Sequence, residues 1–567
     1  MPAAPRGTAS SVASPRAHGG VRWRTLAALA AFLALWFGFL ELRGLYFPDE
    51  GRYAEIPREM LASGDFVTPR LNGYPYFEKP PLQYWLTAAV FAVAGQNEWT
   101  ARLVPAAAGL AGVLAMLLTV RRLAGRRAGW MAAAVMASSV GYFLTGQFVT
   151  LDMLLAGILT AALCAFLLAQ DARATAADHR RWMLVAWALC GLAVLAKGLV
   201  GIALPALAIA VYVAITRDLA LLRRLAIARG VAVLLVVTVP WFVIVQMRNP
   251  GFVDFFFVRE HWQRFTQPGH RRTGALWYFV PIALVFLAPW VPALADGLAR
   301  RRPVPSATPA DFSPTKFAWC WAAAIFVFFS VSSSKLPAYI LPAMGGVAVA
   351  GGILLARDFA RTVRITAWST LVMGLLVGGV AVPAADWFKV EMLQESYQDS
   401  VVWLVAGGAV LVGTGALALW SLRRGMRLRA LAVLVLGVLV ACQAGVVLAW
   451  RIDAYFSSER VIEGVTDGVR PFRPDLPFYS VDMFDQTVPY YLGRTVTLVK
   501  HQGEVDWAIA LAPGDYIADV AEFARRWRAG GDAFAIMDTT TYDSLQATGL
   551  PMRRLASDGR RVVVRRL

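Results

Sequence analysis

The chain has 567 residues, of which 58% are hydrophobic and only 16% are charged, and its formal net charge is +18. A soluble protein of this length would need more polar side chains to cover its surface, so the composition excludes an ordinary soluble enzyme. The positive charge lies in short arginine clusters between apolar segments, as in the cytoplasmic loops of membrane proteins. This distribution disfavours nucleic-acid binding.

The predicted elements begin with a polar tail. Residues 1–24 are rich in Ala, Ser, Pro and Gly, and we predict that they form a disordered cytoplasmic N-terminus. Apolar segments long enough to cross a bilayer then recur over residues 26–450. We therefore predict a transmembrane domain over residues 25–450, with a periplasmic juxtamembrane loop at residues 47–99.

The arginine clusters predict the topology. If all of them are cytoplasmic, an even number of spans must separate neighbouring clusters. Three apolar runs separate Arg24 from Arg121, and the middle run, residues 80–94, is too short to span. We predict that this run lies in the outer interface as a helix. That leaves about thirteen spans and places the C-terminal domain outside the cytoplasm.

Residues 451–567 have mixed polarity and contain no spanning stretch. Short segments at 477–481 and 495–499 predict strands, and a helical segment at 520–529 follows, so we predict a small periplasmic α/β domain. The cysteines all precede it, and their spacing fits neither a zinc site nor a disulfide framework. We interpret them as core residues: Cys164, Cys190, Cys320 and Cys442.

Ionisable residues collect at the outer ends of the predicted spans, where they are costly unless they pair or line a cavity. Asp49 and Glu50 follow the first span directly and precede Arg52 and Tyr53. A helix N-terminus would also explain the two acids, because acidic residues there accept from free N–H groups. Asp152 is the lone acid of an apolar turn, and we expect it to face a pocket.

Three lysines are candidates for binding an anion. Lys79, in the segment 78–81, and Lys335, in the segment 334–339, each lie beside proline at the entrance to a span. Lys197 is a lone cation in an apolar segment, for which snorkelling to the interface is the alternative explanation. Lysine and arginine both recognise phosphate, although positive charge at lipid headgroups would produce the same pattern.

The segment 254–265 is amphipathic, and its polar residues include Glu260, His261 and Arg264. Glu78 and His261 could hold a divalent metal ion, although nothing in their spacing demands one. The sequence has no P-loop, dinucleotide-binding glycine motif, serine nucleophile elbow or HExxH motif. We therefore expect no nucleotide cofactor and disfavour an ATP-driven pump.

Two strings in the membrane region resemble a known enzyme family. They are DEGRYAEIPREM at residues 49–60 and SSKLPAYILP at residues 333–342. Together with the Glu-Lys-Pro-Pro segment at 78–81 and the acid at 152, they resemble the GT-C glycosyltransferases. Within these, the chain is similar to the bacterial aminoarabinose transferases that modify lipid A, which are related to protein O-mannosyltransferases. The resemblance covers the membrane region well and the C-terminal domain poorly.

The resemblance implies a GT-C fold and the transfer of 4-amino-4-deoxy-L-arabinose from undecaprenyl phosphate to lipid A phosphate groups. The reaction would take place at the periplasmic face of the bacterial inner membrane and would give polymyxin resistance. We predict a monomer among membrane lipids. A dry, preorganised cationic site would neutralise the phosphate as it leaves the sugar.

The resemblance also implies roles for single residues. Asp49 and Asp152 would be catalytic, and Asp49 would act as a general base, orient the acceptor, bind the sugar's amine or stabilise positive charge on the ring. Lys79, Arg264 and Tyr339 would bind the donor phosphate. The remaining substrate-binding candidates are Glu50, Arg52, Tyr53, Tyr76, Lys197 and Lys335, and the metal candidates are Glu78 and His261.

Two alternatives remain open at this stage. One is the same fold moving another polyprenyl-linked sugar to a protein or a glycan. The other is a lipid transporter or flippase, which would predict internal repeats and interrupted helices with polar residues at mid-membrane. The sequence shows no such repeat, and its ionisable residues collect on one face.

Overall fold

The computed structural model describes residues 18–263, 274–300, 312–466, 473 and 475–567. In these ranges seven helices are long and apolar enough to cross a membrane, or eight if the bent pair Phe279–Phe286 and Val291–Ala299 forms one span. The multi-span helical class is confirmed, whereas the number of thirteen spans stays a prediction. Residues 80–94 contain a helix of 13 residues, Leu82–Ala94.

The helices before residue 264 are α1 (His18–Phe37), α2 (Asp49–Ser63), α3 (Leu82–Ala94), α4 (Glu98–Ala124), α5 (Arg126–Ala137), α6 (Val140–Thr145), α7 (Leu151–Ala169), α8 (Ala176–Lys197), α9 (Val200–Thr216), α10 (Ala220–Arg224) and α11 (Ile227–Arg248). A π-helix, Asp254–Gln263, follows α11. A two-stranded ribbon, β1 (Arg70–Leu71) with β2 (Tyr74–Pro75), connects α2 to α3.

The later membrane-region helices are α12 (Phe279–Phe286), α13 (Val291–Ala299), α14 (Pro314–Val331), α15 (Leu341–Leu355), α16 (Phe359–Ala381), α17 (Glu391–Gln398), α18 (Val402–Arg423) and α19 (Arg427–Arg451). Four short 3-10 turns lie among them and beyond, at Pro337–Ile340, Ala356–Asp358, Pro383–Trp387 and Gly503–Val505. The predicted core cysteines are all buried and free of disulfide bonds.

Small residues let the central membrane helices approach closely. A Cβ atom added at Gly157 of α7 would collide with the backbone of Ala108 in α4. Backbone contact of this kind is the usual means of packing helices in a bilayer, where no hydrophobic force drives them together. At the far end of the same helix pair, Arg122 donates to Asp171 at 3.0 Å. Basic residues therefore mark the end of α4 opposite to the one that carries Arg102.

The C-terminal part is an α/β domain. Its helices are α20 (Asp453–Phe456), α21 (Glu459–Thr466), α22 (Thr487–Leu492), α23 (Asp506–Leu511), α24 (Val520–Ala529) and α25 (Thr539–Ala547), and its strands are β3 (Phe478–Val481), β4 (Thr497–Val499), β5 (Phe534–Asp538), β6 (Met552–Ser557) and β7 (Arg561–Arg566). The strand order is β4-β3-β5-β7-β6. β3 is parallel to β4 and β5, whereas β7 is antiparallel to β5 and β6.

The α/β domain does not stand apart from the membrane region. A single apolar cluster joins side chains of residues 45–151 to side chains of residues 461–563, including Tyr84 on one side and Phe534 on the other. The turn of the β1–β2 ribbon also contacts the residue before β4. Asn72 donates to the Val496 carbonyl at 2.8 Å and accepts from the Val496 N–H at 2.7 Å. The domain is therefore fixed against the juxtamembrane segment that holds the candidate site.

A buried arginine secures the junction between the two parts. Arg561 is fully buried, donates to Asp485 at 2.8 Å and to Asp558 at 2.7 Å, and also donates to the Ser457 carbonyl at 3.0 Å. Removing one partner of a buried ion pair leaves an uncompensated charge and costs about 3–5 kcal/mol. We expect Arg561→Leu to lower the unfolding temperature markedly in a detergent-based thermal unfolding assay.

The matched control is Arg525→Leu. Arg525 pairs with Glu522 on the surface of α24, and its side chain is 72% exposed. Exposed pairs contribute about 0–1 kcal/mol, so this variant should unfold at nearly the wild-type temperature. Equal unfolding temperatures for the two variants would contradict a structural role for Arg561.

Candidate active site

The candidate site is built around the N-terminus of α2, where the two acids predicted as site residues differ completely in environment. Glu50 is 2% exposed and lies between the guanidinium groups of Arg43 and Arg102. Its carboxylate also accepts from the backbone N–H groups of Tyr46, at 3.1 Å, and Val149, at 2.9 Å. Burial alone would raise the pKa of Glu50, but the two arginines outweigh burial and hold it well below its usual range.

These contacts give Glu50 a structural role, and its predicted contact with substrate stays a prediction. Arg102 donates to Glu50 at 2.9 and 3.0 Å, and its remaining N–H groups reach the carbonyls of Leu40, Arg43 and Gly44 at 2.6–2.8 Å. Both oxygens of Glu50 already accept several hydrogen bonds. Glu50 connects the segment after α1, the start of α2, α4 and the segment before Asp152.

Asp49 faces the opposite way, and its side chain is 45% exposed. Its partner is Arg52, which lies one helical turn further along α2 and is itself buried. The other end of the Arg52 guanidinium donates to Glu504 of the C-terminal domain at 3.3 Å. A side chain that is accessible and held by a single arginine suits the predicted contact between Asp49 and substrate, which stays a prediction.

Gly51 allows α2 to lie directly against the C-terminal domain. A Cβ atom at this position would be 2.7 Å from the Thr487 backbone nitrogen and 2.8 Å from the Gln486 carbonyl carbon. Backbone atoms cannot move aside as a flexible side chain can, so Gly51→Ala should push α2 away from the domain. We expect this variant to lose about 1–3 kcal/mol of stability, as overpacked sites do, and to unfold at a lower temperature.

Gly413, in the middle of α18, provides the control for this prediction, because a Cβ atom there would meet nothing within 4 Å. Gly413→Ala should leave the unfolding temperature unchanged or raise it, since alanine favours helix. An unfolding temperature for Gly51→Ala equal to that of the control would show that α2 does not need the close approach.

The rings of two tyrosines lie beside the Arg52 guanidinium group. The Arg52 guanidinium carbon is 4.9 Å from the ring centre of Tyr53 and 5.7 Å from that of Tyr76. Burial raises the pKa of Tyr53, and the charged groups that also act on its phenol are Arg52, Asp49, Glu78 and Asp152. Acids from three separate segments therefore act electrostatically on the phenol of Tyr53.

The hydroxyl groups of Tyr76 and Tyr84 are buried, and within the described part of the chain neither has a hydrogen-bond partner. Burying a hydroxyl group without a partner costs free energy, so such groups call for an explanation such as a bound water or a ligand. Tyr76 was predicted as a substrate-binding residue, and its place beside Arg52 suits that role. Tyr84 carries no signal in the sequence beyond its aromatic ring.

Lys79 lies between two acids. Its ammonium nitrogen is 3.5 Å from the carboxylate of Glu78 and 4.0 Å from that of Glu260 in the π-helix. Its ammonium group also donates to the Glu78 carbonyl at 2.9 Å, and its side chain is 17% exposed. Arg264 and the side chain of His261 lie outside the described residues. No group of three His, Cys, Asp or Glu side chains that could hold a metal ion occurs among the residues that are described.

Asp152 and Lys197 form a second charged pair. Asp152 begins α7 and Lys197 ends α8, positions at which a negative and a positive charge respectively complement the helix dipoles. Lys197 also lies 4.8 Å from the ring centre of Tyr339. The pair is mostly buried, with 14–15% of each side chain exposed. The structure thus brings together Asp152, Lys197 and Tyr339, which are far apart in sequence.

Lys335 is placed differently from the prediction. It is 5% exposed, and its ammonium group donates to the carbonyls of Ser330, at 2.6 Å, and Ser332, at 2.9 Å. These carbonyls end α14, where free acceptors and the negative end of the helix dipole favour a cation. Burial lowers the pKa of Lys335. Lys335 therefore caps a helix, and its predicted contact with substrate stays a prediction.

A short segment of the C-terminal domain, residues 503–511, borders the site, and we call it the contact segment. Its Glu504 reaches Arg52, and its Trp507 packs on Phe77 and Phe255 with ring centroids 5.7 and 4.8 Å apart. No residue of this segment was predicted as a site residue, because nothing in its local sequence distinguishes it from an ordinary domain surface.

Two family models match the chain. Residues 21–256 match the model described as dolichyl-phosphate-mannose-protein mannosyltransferase. Residues 467–566 match the aminoarabinose transferase C-terminal domain. The first match covers α1 to α11 and the site segments between them, and the second covers the strands and helices that carry the contact segment.

Curated relatives share the name undecaprenyl phosphate-alpha-4-amino-4-deoxy-L-arabinose arabinosyl transferase. The protein of Shewanella sediminis is 33% identical over 62% of this chain, and the match spans 61% of that relative's own length. The protein of Edwardsiella ictaluri is 31% identical over 70% of this chain and 71% of the relative. The protein of Aeromonas salmonicida is 31% identical over 72% of this chain and 75% of the relative.

A solved structure extends the likeness to nearly the whole chain. The crystal structure of ArnT from Cupriavidus metallidurans bound to undecaprenyl phosphate superposes with a TM-score of 0.89 at 36% identity, covering 97% of this chain and 99% of that one. Its apo form gives a TM-score of 0.87 over the same shares.

A helical membrane region of this architecture, with mixed charges gathered beneath a small α/β domain, defines a GT-C glycosyltransferase. The predicted fold class and enzyme class are confirmed. Within that class, the chain belongs to the undecaprenyl phosphate-aminoarabinose arabinosyl transferases.

Proposed function

We propose that this enzyme transfers 4-amino-4-deoxy-L-arabinose from undecaprenyl phosphate to the phosphate groups of lipid A. The observation that carries the proposal is the similarity, over nearly the whole of both chains, to a structure bound to undecaprenyl phosphate. The site supports it, because a partly exposed lysine and two acids at a membrane boundary suit a donor with a lipid tail and an anionic leaving group.

The reaction breaks the bond between the anomeric carbon and the donor phosphate oxygen, and the phosphate leaves with the electron pair. A phosphate oxygen of the acceptor then forms the new bond to the anomeric carbon. Lys79 would neutralise the leaving phosphate, aided by Tyr339 and by Arg264. Because the acceptor phosphate is already ionised, Asp49 would orient substrate or stabilise positive charge on the sugar rather than remove a proton. Asp152 would act on the same sugar, held in place by Lys197.

The periplasmic orientation is part of this proposal. The charged site lies at the end of the helices that carries the α/β domain, whereas Arg122 and Asp171 lie at the opposite end. Basic residues mark the cytoplasmic side of a membrane protein, so this arrangement supports a site outside the cytoplasm. A monomer in the bacterial inner membrane completes the assignment.

We also propose a divalent metal ion near Lys79. Glu78 and Glu260 supply carboxylate oxygens on either side of its ammonium group, and His261 follows Glu260 directly in the chain. Glu78 and His261 would hold the ion, which would add positive charge near the leaving phosphate. Elemental analysis of the purified protein and of the Glu78→Gln variant tests this. Bound metal in the wild type and its loss in the variant are expected.

The test of function is mass spectrometry of lipid A from a strain that lacks its own aminoarabinose transferase and expresses this chain. The expected result is lipid A with aminoarabinose on its phosphates and restored growth in polymyxin. Removing the negative charge of lipid A phosphates weakens the binding of cationic peptides, which links the two readouts.

Unmodified lipid A in cells that contain well-folded protein in the membrane would reject the acceptor. In that case, purified protein supplied with the donor and a peptide or glycan acceptor would decide between the other acceptor classes. A strain carrying the empty vector is the baseline for both measurements.

A further inference from the structure

Arg52 joins the membrane region to the C-terminal domain through two carboxylates. One end of its guanidinium group pairs with Asp49 and the other donates to Glu504 at 3.3 Å. A guanidinium group is planar and rigid, so it fixes the relative positions of the groups it binds at its two ends. The rings of Tyr53 and Tyr76 lie beside this group at 4.9 and 5.7 Å. Arg52 therefore has little freedom to turn.

Glu504 is held in place by its own domain. Its Oε1 atom also accepts from the Gln486 side chain at 2.8 Å, and its side chain is only 16% exposed. Gln486 is followed by Thr487, which donates to Asp485 at 2.6 Å. Asp485 is in turn the buried partner of Arg561. The position of Glu504 is thus determined by the core of the α/β domain.

Trp507 holds the rest of the contact segment against the other half of the site. Its ring packs on Phe77, which lies just before Glu78 and Lys79, and on Phe255 of the π-helix that carries Glu260. The neighbouring Asp506 pairs with Arg259 at 3.0 Å. The contact segment is therefore anchored on both sides of the site, and this packing keeps Glu504 near Arg52.

The charges explain what Glu504 contributes. Arg52 is buried, and a buried guanidinium group needs a carboxylate partner. In this structure Arg52 pairs with both Asp49 and Glu504, and Asp49 is the closer partner. Because Glu504 is a second carboxylate, Arg52 would keep a negative partner when Asp49 leaves it to contact the substrate.

We infer that Glu504 is a positioning residue for the transfer reaction, which keeps Arg52 paired and in place when Asp49 exchanges its contact with Arg52 for one with the substrate. The C-terminal domain thereby completes the site instead of merely covering it. The inference rests on the proposed function, and it adds a residue from a different domain to the machinery of that reaction.

The test is steady-state kinetics of purified full-length enzyme with the aminoarabinose donor and lipid A. We expect Glu504→Gln, which keeps the shape and removes the charge, to lower kcat about 10- to 100-fold, the range for one charge-assisted hydrogen bond. Affinity for undecaprenyl phosphate, measured by fluorescence titration, should change less than about twofold, because the phosphate is bound on the Lys79 side. Glu504→Asp should recover part of the loss.

Two further variants make the test specific. In an enzyme that already carries Arg52→Lys, adding Glu504→Gln should lower kcat less than about twofold further. The effects of two residues that act through one another are not additive. Glu522→Gln, which removes a carboxylate from the exposed face of α24, should retain full activity. Thermal unfolding of every variant is measured in parallel.

The outcomes separate the two claims. An active wild-type enzyme whose Glu504→Gln variant keeps its kcat overturns the inference and leaves the proposed function intact. A variant that loses activity only in proportion to folded protein, without rescue by Glu504→Asp, also overturns it. A folded wild-type enzyme that transfers no aminoarabinose overturns the proposed function itself.

Discussion

Glu50→Ala is expected to abolish the accumulation of folded protein. The substitution leaves Arg43 and Arg102 buried, 2% and 1% exposed, without the carboxylate that lies between them. Breaking a buried ion pair costs about 3–5 kcal/mol. The total stability of a folded domain is about 5–15 kcal/mol, so this loss is a large share of it. Size-exclusion chromatography of detergent extracts should show the monodisperse peak of the wild type lost or strongly reduced.

Asp49→Ala provides the matched control, because the substitution removes the neighbouring acid. The Asp49 side chain is 45% exposed and pairs with one arginine that keeps Glu504 as a second partner. This variant should fold normally while losing activity. If Glu50→Ala accumulates as well as Asp49→Ala and unfolds at the same temperature, Glu50 does not hold the structure together as we describe.

The sequence could not distinguish these two acids. Both follow Pro48 at the start of a helix, and both fit the pattern of a helix N-terminus or of a site. The two acids differ because Arg102 pairs with Glu50. Arg102 is 52 residues away from Glu50 in sequence and reaches it because α4 lies beside the N-terminus of α2. A tertiary contact of this kind has no local signature. Lys335 shows the same limit, since its three carbonyl neighbours depend on how the chain turns after α14.

The secondary structure of the C-terminal domain was predictable in part. Alternating and apolar segments predicted β3 and β4, and helical spacing predicted α24, which the structure places at Val520–Ala529. The strands β5, β6 and β7 were not predicted. β7 contains three consecutive valines flanked by arginines, a pattern without clear alternation, because the strand is covered over most of its length.

The membrane topology was predicted from charge alone, and the resemblance to a family supplied most of the candidate residues. Neither the charge distribution nor the family resemblance predicted the contact segment. Glu504 and Trp507 lie in the region that the resemblance covered poorly, and their neighbours Arg52 and Phe77 are more than 400 residues earlier in the chain. Sequence patterns indicate which residues are polar, whereas domain packing decides which of them meet.

Variants of Lys79 should differ in their kinetics from variants of Asp49 and Asp152. Lys79→Ala removes the ammonium group that we propose binds the donor phosphate. A charge-assisted hydrogen bond contributes about 1.5–3 kcal/mol, so the dissociation constant for undecaprenyl phosphate should rise about 10- to 100-fold. The protein should still fold, because the side chain lies near the surface of the site. An unchanged dissociation constant would move phosphate binding away from Lys79.

Asp152→Asn and Asp49→Asn should instead lower kcat about 100- to 1,000-fold while the protein binds undecaprenyl phosphate normally. Preorganised charges act where charge develops in the transition state, and losing one typically costs this much. Lys197→Met is the informative companion, because it removes the partner of Asp152 without touching the acid. If Asp152 acts on substrate, Lys197→Met should reduce kcat less than Asp152→Asn does. If Asp152 only compensates Lys197, the two variants should be equally impaired, and polymyxin resistance in cells should fall to the same level for both.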